Sequence, residues 1–292
     1  MPDLSIAVPD VPKTATQFIN EVKLFSLSHR DEVARQYLLD GHVPSHMRSF
    51  VDVTQTFRSV DGNTHTLTLS VLPDVLCIGT DDDYVRIPLT PLTAQQICDA
   101  WGCMLPTTRM SDIIWHAAVN KLQPLPWGPP YDASMQSTDR VVVHNQRIND
   151  LIKKNGFDAT KLSAGHKKDV VMTPRLVKKP KQVSIYGWHQ LNGKPIQPLY
   201  LGHENTYEDY SHGLRMVSLS CILDGQPASV QDIMADANMC TAVTSEGANS
   251  TVSQPPGLSP TITVKKKHPD LILECTIRCY RDRVFFTKAP SY

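Results

Sequence analysis

The spacing of apolar positions changes character along the chain and divides it into segments. Ala15–Leu27 and Asp31–Leu39 carry apolar residues at helical spacing, with Ser28 placed to cap the second and Gly41 to stop it. From Phe50 the period falls to two. Phe50–Val60 and Thr64–Leu72 alternate around Asp61-Gly62-Asn63, the signature of a hairpin. Val75–Ile78 and Tyr84–Leu89 read as a second hairpin around Thr80–Asp83, and the four strands together suggest one antiparallel sheet.

Helical spacing returns in Thr93–Trp101, closed by Gly102, in Thr107–Leu122 behind Pro106, and in Asp139–Asn155 before Gly156. Strands are expected again at Val170–Thr173, Gln182–Trp188, Leu214–Leu223 and Leu271–Phe286. A helix capped by Ser229 and a polar loop at Thr241–Ser259 precede the last of these. Strand clusters with helices inserted between them predict an α+β fold with a mainly antiparallel sheet. The expected organisation is a peripheral helical segment over 1–41 and one α+β domain over 42–292. The Pro-rich run 123–131 offers an alternative boundary.

Composition narrows the function classes. Twenty-nine basic residues balance 29 acidic ones, so general nucleic-acid binding is not expected. No stretch has the roughly 18–20 apolar residues of a membrane helix, so no membrane role is expected. No targeting segment is visible. The reading is a cytoplasmic protein, or an exported one whose signal has been removed. Seven cysteines with no C-x-x-C read as free, mostly buried thiols in a reducing compartment.

Charge and chemistry are unevenly placed within that neutral total. Between Lys153 and Lys181 lie nine Lys or Arg against Asp158 and Asp169, an electropositive approach suited to an anionic ligand. Immediately after it, Tyr186–Arg215 holds three histidines and four tyrosines in Gly- and Pro-rich text, much of it expected to be loop. His203-Glu204 is followed by Tyr207 where H-E-x-x-H needs its second histidine, so that zinc motif is absent. His203, Asp209 and His212 still make a two-imidazole, one-carboxylate set that would suit zinc; no other cofactor is suggested. Ser211 is a candidate nucleophile, although His212 beside it would point to the other face of a strand. Metal-free acid–base chemistry by the same histidines and Asp209 is the third option.

The site expected from these residues is as follows. His203, His212 and Asp209 bind a metal or act as acid and base, and Tyr207 or Tyr210 stabilises developing charge. His166, Lys168, Trp188, His189 and Arg215 hold the substrate. The implied activity is that of a hydrolase on a polar, anionic polymer such as a cell-wall glycan or peptide. The alternative is a non-catalytic carbohydrate- or partner-binding module, in which Trp and Tyr residues stack on the ligand.

Two segments, Gly79–Trp115 and Gly165–Val217, carry G-H-K-K-D, Y-G-W-H, P-I-Q-P-L-Y, H-E-N-T-Y and D-Y-S-H-G-L-R. In this wording the chain resembles a group of bacterial hypothetical proteins to which no activity is attached. The resemblance spans about a third of the chain. It implies that one unit runs through the Pro-rich segment and that such proteins are often exported. It supplies no catalytic residues.

Overall fold

The computed structural model describes residues 4 and 6–249, together with the backbone of three later strands. Two compact units divide the chain, residues 1–255 and residues 256–292.

The first unit opens with α1 (Ala15–Val22) and α2 (Leu27–Leu39). Thr14 and Gln17 form a reciprocal capping box at the start of α1. The expected single helix to Leu27 stops at Val22, because Ser26 caps α2; the cap is therefore Ser26 and not Ser28. Both helices bury apolar residues (Phe18, Val22, Ala34, Leu38) in the same core as the rest of the unit.

The strands β1 (Val51–Arg58) and β2 (Thr64–Val71) pair in register from Val51↔Val71 to Arg58↔Thr64, closing at Gly62 with φ 89°. The following strands β3 (Cys77–Gly79) and β4 (Tyr84–Arg86) form a separate two-stranded hairpin, where one four-stranded sheet was expected. Next come α3 (Pro91–Trp101), β5 (Cys103–Met104) and α4 (Thr108–Ala117). Gly102 closes α3 in the left-handed region at φ 65°, and Thr107 caps α4. The helix α4 ends at Ala117, short of the expected Leu122, because β6 (Asn120–Lys121) pairs in parallel with β7 (Ser163–Ala164).

Between them lie the irregular run 123–131 and α5 (Thr138–Lys154), which Ser137 caps and Gly156 follows at φ 63°. The chain then builds a four-stranded sheet from β8 (Lys168–Val170), β9 (Gln182–His189), β10 (Pro195–Glu204) and β11 (His212–Gly213), in the order β10-β9-β8-β11. The β8–β11 pair is parallel and the others antiparallel. Text expected to be mostly loop therefore contains the ten-residue strand β10, whose Pro195 and Pro198 are tolerated because it lies at the sheet edge. Two more strands, β12 (Val217–Leu223) and β13 (Gln226–Ser229), complete the first sheet as β1-β2-β12-β13, with β5 also on β12. The helix α6 (Val230–Ala235) follows its Ser229 cap.

The second unit shows β14 (Ile262–His268), β15 (Leu271–Tyr280) and β16 (Arg283–Lys288) as an antiparallel three-stranded sheet. The fold is α+β. Among the described residues no helix is long and apolar enough to cross a membrane, and the five described cysteines are free and buried. The side chains of Cys275 and Cys279, and the loop residues beyond 249, lie outside the described part.

Candidate functional site

The G-H-K-K-D text is distributed over three environments by the backbone. Gly165, at φ 99°, passes so close to Leu122 that a Cβ would lie 2.3 Å from its carbonyl oxygen. His166 and Lys167 then point into the core. The His166 Nε2 lies 2.9 Å from Asp74 Oδ1, and Arg86 holds the other carboxylate oxygen at 2.8 Å. All three side chains are buried. Burial, opposed by Asp74, leaves the His166 pKa at about 4, so the ring is neutral and donates to Asp74. The Lys167 ammonium donates to the Tyr210 carbonyl, and burial draws its pKa down to about 7.

Lys168 and Asp169 are adjacent in β8, so they project to opposite faces of the small sheet. The register sets His212 beside Lys168 and, across β9, Lys168 beside Gly187. The Lys168 Nζ lies 5.0 Å from the centre of the Trp188 ring. Gly187 (φ 98°) and Trp188 (φ 55°) take left-handed backbone inside a strand, a costly conformation for a tryptophan. Hydrogen bonding from Trp188 Nε1 to the His166 carbonyl, at 3.1 Å, helps hold it there.

The Lys168 face gathers most of the residues expected to be catalytic. The Tyr207 hydroxyl donates to Asp209 Oδ2 at 3.0 Å, and Ser211 gives Asp209 Oδ1 its amide at 2.7 Å and its hydroxyl at 2.5 Å. Ser211 is thus tied to Asp209 and does not pair with His212. The His203 ring stacks on Tyr207 with centroids 4.1 Å apart, and Tyr207 meets His212 edge-on at 5.7 Å. Burial opposes ionisation of Asp209, but His212, Lys168 and the Ser211 bonds prevail and hold its pKa at about 2. His212 is almost fully buried, and burial lowers its pKa to about 4 against the pull of Asp209. Both of its ring nitrogens lack a hydrogen-bond partner in the protein. His203, Tyr207 and Lys168 are half-buried and give this cluster its access to solvent.

The loop carrying Tyr207–Ser211 is fixed from several directions. Glu208 pairs with Arg30 of α2 at 2.8 Å, with both side chains buried. The Tyr210 hydroxyl accepts from the Trp127 amide at 2.7 Å, and the Tyr210 amide donates to Met135 at 3.1 Å. A loop held this way keeps its functional groups in one geometry.

Other expected site residues lie elsewhere. Tyr210 is buried and its hydroxyl is engaged by Trp127, so it braces the Pro-rich run. Arg215 is buried, donating to the carbonyls of Leu72 at 2.9 Å and Ser163 at 2.5 Å, and His166 belongs to the Asp74 network. Neither is placed to meet a ligand from solvent. His189 joins the opposite face of the sheet, where its Nε2 lies 2.8 Å from Asp112 Oδ1 and its ring stacks on Trp115. Tyr186 donates to the same Asp112 oxygen at 2.8 Å, and Asp169 pairs with Tyr186 in the register of that face. Among the described residues no group of three or more His, Cys, Asp or Glu side chains is placed to hold a metal ion, so His203, Asp209 and His212 do not form a ready zinc site.

Comparison with protein-family models, with curated proteins and with solved structures finds no match for this chain.

The basic run also divides. Lys153 and Lys154 lie in the last turn of α5, where cations complement the helix dipole. Arg175, Lys178 and Lys179 line one wall of an open groove of about 610 Å³, and Leu199, Tyr200, Leu201 and Gly202 line the other. Lys181 lies in an adjoining groove of about 520 Å³. Tyr200 meets His203 edge-on at 5.3 Å, so a continuous row of rings runs from the groove to His212. The groove and Asp112 were not singled out in the sequence. The basic run signalled the groove, while nothing local to Asp112 marks it as a partner for His189.

Proposed function

We propose that the protein is a hydrolase that acts, by acid–base chemistry, on a polar anionic polymer. The observation that carries this reading is the row Tyr200, His203, Tyr207, His212. It begins at a groove lined by cations and ends at a buried imidazole with two free ring nitrogens beside an ionised Asp209. The groove binds the polymer through Arg175, Lys178 and Lys179. A neutral His212 is the form needed to take a proton from water, and Asp209 stabilises the imidazolium that results. Tyr207 and Lys168 stabilise the negative charge that develops on the substrate. His203, nearer the solvent, takes up a proton from solvent and gives it to the leaving group, and His212 afterwards releases the proton it took from water.

The test is turnover of anionic cell-wall glycan fragments and acidic peptides by the wild-type protein and by His212→Ala. The wild-type protein is expected to release product, and the variant to lose about 100-fold or more in kcat. Ligand retention without product release by the wild-type protein, across both substrate classes, would reject the hydrolase in favour of a binding module.

A further inference from the structure

The groove beside β10 has a geometry that selects among anionic polymers. Successive residues of a strand point to opposite faces. A groove lying over one face would therefore be lined by alternate residues. This one is lined by four in succession, Leu199 to Gly202, so it takes in the strand's edge as well as one face. That edge is open, because β10 is the terminal strand of its sheet and is paired only with β9. Register shifts on either side of Tyr200 bend the strand here, and the two prolines that would interrupt a further ladder, Pro195 and Pro198, both precede the groove.

The facing wall supplies cations from Arg175, Lys178 and Lys179, and Pro174 also lines the groove. Glu246 already pairs with Arg175 at 2.8 Å, which leaves the two lysines as the main source of charge. Leu199, Leu201 and Pro174 add apolar surface. Backbone donors and acceptors on one side, cations on the other and apolar residues between them match an extended chain with alternating acidic and apolar side chains. A glycan or a nucleic acid would use the cations but has no peptide groups to offer the strand edge.

We infer that the groove takes an acidic peptide in extended form, which pairs with residues 199–202 as an added strand. The inference rests on the proposed function only in placing this peptide on the path to His203; its docking mode is independent of turnover.

The probe is a fluorescent peptide of alternating Glu and Val with blocked ends, followed by anisotropy. Two derivatives carry N-methyl groups on the amides of one edge or of the other, with the charge unchanged. A strand uses one edge for pairing. One derivative should therefore bind like the parent and the other at least about tenfold more weakly. The double variant Lys178→Glu/Lys179→Glu should also weaken the parent peptide at least about tenfold. Backbone amides of 199–202 should gain hydrogen-exchange protection on binding. Equal binding by both methylated derivatives overturns the inference, as does equally tight binding by an oligo-uronate or a single-stranded oligonucleotide of the same charge. A peptide that docks as described and is never cleaved retains this inference and, if glycan fragments are not turned over either, removes the hydrolase. Cleavage with no difference between the two methylated edges does the reverse.

Discussion

Tyr207 and Asp209, two residues apart, are joined by a 3.0 Å hydrogen bond in which the phenol donates to a carboxylate held at a pKa of about 2. The same carboxylate raises the proton affinity of His212 against the effect of burial. Asp209→Asn keeps an amide oxygen for the two Ser211 bonds but removes the charge. The expected result is a folded protein with turnover reduced about 100-fold or more and a His212 pKa moved further down from about 4. Steady-state kinetics and an NMR titration of the imidazole check both parts. An unchanged His212 titration would show that the two groups are not coupled.

Asp74 is the keystone of the buried network because it answers His166 and Arg86 at once. Replacing it by Asn leaves the fully buried Arg86 guanidinium without its counter-charge, although Asn145 and Asn149 still accept from it. Breaking a buried ion pair from one side costs about 3–5 kcal/mol. Urea unfolding of Asp74→Asn should show a loss of that order. A loss below about 1 kcal/mol would mean that the network contributes little to stability.

The buried neutral histidines give stability a pH dependence of known sign. His166 has a folded pKa of about 4 against an ordinary 6.5, so the unfolded chain binds its proton first as pH falls. Its contribution is complete above pH 6.5, declines as pH drops towards 4 and levels off below that. By the size of the shift it amounts to at most roughly 3 kcal/mol. Glu208 and Asp31 act in the opposite sense, since burial pushes their carboxyls up. The measurement is therefore a difference. Between pH 7 and pH 4, the wild-type protein should lose more stability than His166→Asn, by an amount of that order. Parallel curves would exclude a buried neutral His166.

Much of the scaffold was legible because its signals are local. Thr107 and Ser229 as caps, Gly102 and Gly156 as stops, and the Asp61-Gly62-Asn63 turn each act within a few residues. The gathering of His203, Tyr207, Asp209 and His212 was foreshadowed by their crowding in one window. What could not be read depends on distant partners. Nothing near His166 announces Asp74, 92 positions away, and nothing near Glu208 announces Arg30. The parallel pairing of the three-residue β8 with the two-residue β11 is too short to leave a periodic trace. It nevertheless decides which side chains share a face, because it sets His212 beside Lys168.

Two glycines should respond very differently to alanine. Gly165 has φ 99°, and a Cβ there would lie 2.3 Å from a backbone oxygen that cannot rotate away. Gly102 has φ 65° with nothing within 4 Å. Gly102→Ala should cost about 1 kcal/mol, the conformational penalty alone. Gly165→Ala must also displace the 122 segment and should cost at least about 2 kcal/mol. Thermal or urea unfolding of the two variants gives the comparison, and equal losses would refute the close approach at Gly165.

The two faces of the small sheet present rival histidines, and kinetics can separate them. His203 stands in the row of rings leading from the groove, stacked on Tyr207 at 4.1 Å. His189 stands on the other face, fixed by Asp112 at 2.8 Å and packed against Trp115, with Tyr186 on the same carboxylate. The Asp112 side chain is 43% exposed, so that face is open to solvent as well. If the chemistry belongs to the His203 face, His203→Ala should lower kcat about 100-fold with little change in stability, because that ring is only half-buried. His189→Ala should do the opposite. It removes a buried ring and a hydrogen bond to a carboxylate, a loss of about 1–3 kcal/mol, while kcat stays within about threefold of wild type. A folded His189→Ala protein without turnover, beside an active His203→Ala, would move the catalytic centre to the Asp112 face and leave the groove as a binding surface alone.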